Sequence, residues 1–383
     1  MGFRAGTLED LARVMFANAY RGKRVLVTGH TGFKGAWLAL WLNELGAHVY
    51  GLGLSAPTQP NLHEIVHDHA FEQEVTCDIR DANRLETAVR EIAPDFVFHL
   101  AAQALVRPSY VDPLGTLETN VMGTANLLQA IGRAQLPCTV IVVSSDKCYE
   151  NIGWEYGYRE IDALGGRDVY SMSKAATELV VQAWRESYFR GNARLGNLVS
   201  VRAGNVIGGG DYAQDRIVPD CIRALIAKRL IQVRNPSATR PWQHVLDCLS
   251  GYLWLGARVT SAAAVSTLIG AFNFGPGAQS EVSVKRLVES ILELWPGEWK
   301  SGGGVGEPHE AKGLNLAIDK AAALLQWFPT WGFAEAIQQT VSWYHERHVL
   351  KHPDMLGLCR TQLDCFATTA RTKGISWALA TET

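Results

Sequence analysis

Lys23-Arg-Val-Leu-Val-Thr-Gly29-His-Thr-Gly32-Phe-Lys-Gly35-Ala-Trp-Leu-Ala-Leu-Trp-Leu42 is the stretch on which the fold turns. A β-branched run at 24–28 leads directly into three glycines spaced three apart. An apolar run from Ala36 then opens a helix. Strand, glycine turn and helix in that order form a phosphate cradle. The glycines allow a tight turn and close backbone approach to a pyrophosphate, and the helix N-terminus meets its charge. Glycines alone are weak evidence, but their place at the head of a βαβ series makes them strong.

Working outward, further apolar runs at 48–52, 74–77, 96–100, 139–143 and 197–202 read as buried strands. Helical stretches at 83–92, 120–131 and 169–189 separate them. This alternation predicts an α/β fold with a doubly wound parallel sheet of the Rossmann type. After Gly204 the alternation breaks at Gly208-Gly-Gly210. The remainder reads as a smaller, C-terminal mixed α/β substrate lobe. The expected divisions are an N-terminal extension (1–22, ragged or a short helix), a dinucleotide domain (23–204) and a mainly substrate-binding lobe (205–383). Part of 241–270 is expected to pack back on the sheet.

Composition excludes several classes. With 36 Lys and Arg against 38 Asp and Glu among 383 residues, the formal charge is −2. That leaves no basic field for nucleic acid. The seven scattered cysteines contain no C-x-x-C pair, which argues for a reducing compartment and against a zinc ribbon. No apolar run approaches the roughly 20 residues of a membrane span, and the first twenty residues lack a secretory pattern. The cytoplasm is the expected location.

A catalytic reading comes from Tyr170-Ser-Met-Ser-Lys174, a Y-x-x-x-K spacing that puts both side chains on one helix face. The Lys174 ammonium is expected to favour phenolate at Tyr170 and so make it a base for a sugar hydroxyl. Upstream, Ser144-Ser-Asp-Lys-Cys-Tyr149 follows a strand, where α/β active sites sit, and Ser145 can bond the same hydroxyl. The dinucleotide is expected to be NAD. No acid follows the second strand to hold a ribose 2′-hydroxyl, but no Lys or Arg lies between Gly51 and Ile79 to hold a 2′-phosphate. Lys34 is a candidate for the latter, or a solvent-facing lysine. Gly29, Thr31, Gly32, Phe33, Lys34 and Gly35 are the expected phosphate-loop contacts, and Asp78 and Ile79 the adenine contacts.

The G-x-x-G-x-x-G spacing resembles that of short-chain dehydrogenases. Together with His99-Leu-Ala-Ala-Gln103, Ser145-Asp-Lys-Cys-Tyr149, Tyr170 with Lys174, Arg202-Ala-Gly-Asn-Val-Ile-Gly-Gly-Gly-Asp211 and Arg240-Pro-Trp-Gln-His244, it resembles the CDP-glucose 4,6-dehydratases from about 21 to at least 343. The Asp-Lys pair is specific, since the dTDP-glucose relatives carry Asp-Glu. The resemblance implies an NAD-dependent lyase acting on a sugar nucleotide, as a homodimer. It implies catalytic roles for Ser145, Asp146, Lys147, Tyr170 and Lys174, with Asp146 as general acid. Lys147 is left either as a base or as a counter-ion to an enolate. Leu100, Ala101, Ala102, Gln103, Asn120, Tyr170 and Lys174 are implied around the cofactor. Arg107, Asn205, Arg216, Arg234, Arg240 and His309 are implied around the substrate. Lys312-Gly313 departs from the family's His-Tyr after the late His-Glu-Ala.

One further motif, His63-Glu-Ile-Val-His67, fits the H-E-x-x-H spacing of metalloproteases. Its place after the second strand of a dinucleotide fold makes a solvated polar helix the better reading, and no metal is expected.

Overall fold

The computed structural model describes residues 15–260, 265–302 and 313–379. Its centre is a parallel sheet of seven strands: β1 (Arg24–Thr28), β2 (His48–Gly53), β3 (Gln73–Thr76), β4 (Phe96–His99), β5 (Cys138–Val143), β6 (Gly196–Arg202) and β7 (Ala271–Asn273). The order is β7-β6-β5-β4-β1-β2-β3, and every pairing within it is parallel. Chain order reverses between β1 and β4. That switch point opens a crevice at the carboxyl ends of both strands, where α/β folds bind ligands.

β4 and β5 are buried at every position, as continuous apolar runs should be when helices cover both faces of a sheet. Successive residues of β1 face opposite cores. Val25 and Val27 join the side containing α1 (Phe33–Glu44), whereas Leu26 joins the side containing α3 (Ala82–Ile92) and α4 (Gly123–Ala134). Between β2 and β3 lies the short α2 (His63–Ala70). On the α3 and α4 side runs α5 (Val169–Trp184), continued by a wider helical turn at Arg185–Phe189.

Six strands fall where the apolar runs put them. The seventh, β7, is three residues long and lies beyond the glycine break, too short to show a period. Helix α6 (Val245–Thr260) packs against α1 and β5 and is buried along almost its whole length. The lobe proper is built of small pieces: Thr239–Pro241 pairs antiparallel with Glu281–Ser283, and Ile231–Val233 pairs parallel with Trp299–Ser301.

The start was expected to be ragged or a short helix; Met15–Asn18 form a single helical turn, and the ragged alternative is corrected there. Met15, Phe16 and Tyr20 are buried. Phe16 stacks on Trp377 with ring centres 5.0 Å apart, and the Tyr20 hydroxyl donates to the Leu253 carbonyl at 2.6 Å. Apolar burial of aromatic rings from both ends of the described chain seals this side of α1. Six of the seven cysteines are buried and none is paired. Among the described residues, no helix is long and apolar enough to cross a membrane.

Candidate active site

Four segments converge at the switch point: the glycine loop after β1, 100–103 after β4, 144–149 after β5, and the start of α5. The loop geometry fits a pyrophosphate. Gly29 adopts φ +71°, and a Cβ there would stand 2.7 Å from the Ala101 nitrogen. A Cβ on Gly35 would stand 2.3 Å from the Gly29 carbonyl oxygen. Gly32 caps α1 without any side-chain bond, so the first-turn N–H groups remain open to an anion. Thr31 ties the loop to the Leu54 carbonyl at 2.9 Å. Phe33, Leu100, Ala101 and Ala102 are half-buried along the cleft. A β1–β4 cross-link holds the floor, with Thr28 Oγ1 at 2.7 Å from His99 Nδ1. Burial drives the His99 ring to a pKa of about 3, so it is neutral.

Asn120 joins these segments. It accepts from the Gln103 backbone N–H at 2.8 Å and donates to Ser173 Oγ at 2.8 Å, linking 100–103 to α5. At the other end of the cleft, the Asp78 carboxylate is held by Arg80, through a guanidinium contact at 2.6 Å and the backbone N–H. These bonds hold its carboxyl below the ordinary range. Ile79 is buried against Gly123. Lys34 is half-buried in the glycine loop. Its charge is felt at Lys174, whose ammonium it disfavours.

Tyr170 and Lys174 lie one turn apart on α5, both buried. Ser109 Oγ accepts from the Tyr170 backbone N–H at 3.2 Å and fixes the start of the helix. Ser145 and Asp146 stand opposite, and Ser145 Oγ donates to Asp146 Oδ1 at 2.9 Å. The Lys147 backbone N–H reaches Ser145 Oγ at 3.3 Å. The direction expected for Tyr170 is corrected. Burial pushes its phenol up to about 12, against which a Ser145 hydrogen bond and the Arg216 charge work in the opposite sense. Lys174 itself is lowered to about 8, first by burial and then by Lys34.

Three of the arginines expected around the substrate come together. Arg107 and Arg234 approach Asp215 at 3.3 and 3.9 Å, and Arg216, next in sequence, pairs with Asp211 at 2.9 Å. Guanidinium groups suit diphosphate oxygens, and the Arg216 charge is felt at Tyr170. Arg240 lies on the Thr239–Pro241 strand, with Nη1 donating to the Thr239 carbonyl at 2.8 Å. Asn205 takes the left-handed conformation (φ 35°) that Asn tolerates, and its carbonyl accepts from the Gln243 N–H at 3.3 Å. His309 lies outside the described residues.

Several positions were missed. Gly204 makes room for the acid: a Cβ there would stand 2.2 Å from Asp146 Oδ2. Asp215 gathers two arginines, which no local spacing announces. Glu178 forms a buried pair with Arg202 at 3.0 Å, and Arg202 Nη1 donates to the Tyr149 hydroxyl at 2.7 Å, bracing the 144–149 turn. Its signal was present, since 170, 174 and 178 repeat at four-residue spacing. Gly204→Ala should displace the Asp146 carboxyl and lower turnover by about 10²-fold, the order expected for an ångström-scale misplacement. Steady-state kinetics beside unchanged dinucleotide binding would check it.

Comparisons with known proteins agree with this geometry. A family model for GDP-mannose 4,6 dehydratase matches residues 26–276. CDP-glucose 4,6-dehydratase from Salmonella typhimurium is 44% identical over 361 residues, which is 92% of this chain and 99% of the relative. Among solved structures, an epimerase from Methanothermobacter thermautotrophicus superposes with TM-score 0.75 at 26% identity, covering 90% of this chain and 96% of that one. UDP-glucose 4-epimerase from Thermus thermophilus, solved in complex with NAD, gives TM-score 0.71 at 25% identity, covering 84% and 99%. Rossmann crevice, glycine loop, Y-x-x-x-K pair and these likenesses together establish that the chain belongs to the GDP-mannose 4,6 dehydratase family of extended short-chain dehydrogenase/reductase enzymes.

Proposed function

We propose that the chain is an NAD-dependent lyase that converts CDP-glucose to CDP-4-keto-6-deoxyglucose. The observation that carries this reading is the pairing of Asp146 with Ser145 across from Tyr170: an acid stands beside the base, as elimination requires and epimerisation does not. The 44% identity to a CDP-glucose 4,6-dehydratase supports the nucleotide.

When bound, NAD supplies the site that takes the C4 hydride and returns it to C6. Tyr170 takes the O4 proton, with Ser145 and Arg216 as the two groups that favour its phenolate. The 4-ketone acidifies the C5 hydrogen. Lys147, on the same turn as the acid, serves that step as base or as counter-ion of the enolate. Asp146 protonates the departing C6 hydroxyl and water leaves; as the hydride reaches C6, C5 takes back a proton to give the saturated 4-ketone. Arg107, Arg216 and Arg234 hold the diphosphate, with Arg240, Asn205 and His309 assigned to the same substrate. Residues 23–204 serve mainly the dinucleotide and 205–383 mainly the sugar nucleotide. The location we assign is the cytoplasm.

A surface stripe supports the dimer. Leu114, Met122, Met172 and Leu179 are exposed on neighbouring helices, and Met172 and Leu179 share one face of α5. We assign this stripe to a symmetric dimer, which would bury it. Leu179→Glu should shift the protein to monomer in sedimentation; an unchanged dimer would place the interface elsewhere.

The reading is tested by offering CDP-, dTDP-, GDP- and UDP-glucose and following the alkaline absorbance of a 4-keto product. CDP-glucose should turn over fastest. Preference for another nucleotide would reassign the substrate.

A further inference from the structure

The His63-Glu-Ile-Val-His67 spacing does not act as a pair. Its two rings stack side by side at 5.6 Å. Instead His63, the first residue of α2, turns its Nε2 to the Glu74 carboxylate on β3. His30, from inside the glycine loop, brings its own Nε2 to the same oxygen, Glu74 Oε1, at 3.0 Å. Three ligand atoms from three elements therefore lie within 4.8 Å of one another, the one such group among the described residues.

The rings are held for this purpose. His30 is buried, and its ring lies on Gly51, where a Cβ would stand 2.5 Å from its Cδ2. Gly51 is also the register partner of Glu74 across the β2–β3 pairing. Phe71 closes the opposite side, edge-on to His30 at 5.1 Å and tilted against His63 at 5.8 Å. Held among these groups, the His30 ring points Nε2 toward the carboxylate. No Lys or Arg occurs between Gly51 and Ile79, so no cation from that stretch competes for Glu74.

Donor chemistry then selects the ligand. Two imidazoles and one carboxylate form a set that suits zinc and its neighbours, with water in the fourth position. Magnesium and calcium prefer all-oxygen shells.

We propose that His30, His63 and Glu74 form a site for one zinc-class divalent ion that ties the glycine loop and α2 to β3. This site is separate from the catalytic groups and does not depend on the dehydratase reading. Because His30 sits between Gly29 and Thr31, the ion would stiffen the loop that holds the dinucleotide phosphates.

The test uses the full chain, loaded with NAD and stripped of metal by a chelator, titrated with zinc against a chromophoric chelator. Expected is one zinc per chain, with a dissociation constant on the order of micromolar or tighter. His63→Phe and Glu74→Gln should each weaken it at least ~10-fold. Glu74→Gln keeps the side-chain shape, which separates ligand loss from misfolding. Cys365→Ser, removing the exposed thiol, should leave the affinity unchanged. Zinc-edge X-ray absorption should show nitrogen and oxygen ligands without sulfur, and magnesium should not compete. Absence of stoichiometric zinc, or equal affinity in both ligand variants, would mean that Glu74 merely accepts hydrogen bonds from the two rings, and the proposal falls.

Discussion

Tyr170→Phe should lower turnover of CDP-glucose by about 10²–10⁴-fold, the range expected for losing a positioned proton acceptor, while the dinucleotide stays bound. The two effects separate because the phenol hydroxyl, not the ring, accepts the O4 proton, and the glycine loop and uncapped α1 lie on other elements. Packing should be preserved: Tyr170 is buried and Phe fills almost the same volume. Buried Lys174, already lowered to about 8, remains in place one turn along. Equilibrium dialysis of NAD beside single-turnover kinetics checks both halves. Retention of full activity would remove Tyr170 from the mechanism.

The second large effect is at Asp146. Asp146→Asn keeps the oxygen that accepts from Ser145 but loses the acidic proton. Dehydration should fall by about 10²–10⁴-fold, yet removal of the O4 proton and C4 hydride should continue. The variant should therefore accumulate reduced nicotinamide, visible by its near-ultraviolet absorbance, and release little 4-keto-6-deoxy product. A variant that dehydrates normally would give the acid role to another group.

What the sequence disclosed, and what it did not, follows from the range of the interactions. The sheet was legible because parallel strands covered on both faces must be continuous apolar runs, as at 139–143, and because Gly29, Gly32 and Gly35 mark one turn. Tyr170 and Lys174 were legible because a helix places i and i+4 together. Position beyond the local turn was not. That the Lys34 charge reaches Lys174, 140 residues on, is set by the fold and not by the local turn. The sign of the Tyr170 shift was missed for a related reason. The lysine was visible in sequence, but the burial that outweighs local charge was not. Met15 to Tyr20 read as an extension because their partners, Trp377 and Leu253, lie hundreds of residues away. Likewise Glu74 was read only as part of a strand, although β3 carries it to two histidines.

The central claim is that one hydride leaves C4 and returns to C6 of the same sugar within a single enclosed site. It is tested by incubating the enzyme with CDP-glucose deuterated at C4 and analysing the product by mass spectrometry and NMR. The product should have lost one water and should carry the deuterium at C6. Deuterium remaining at C4, or washed out into solvent, would contradict the account.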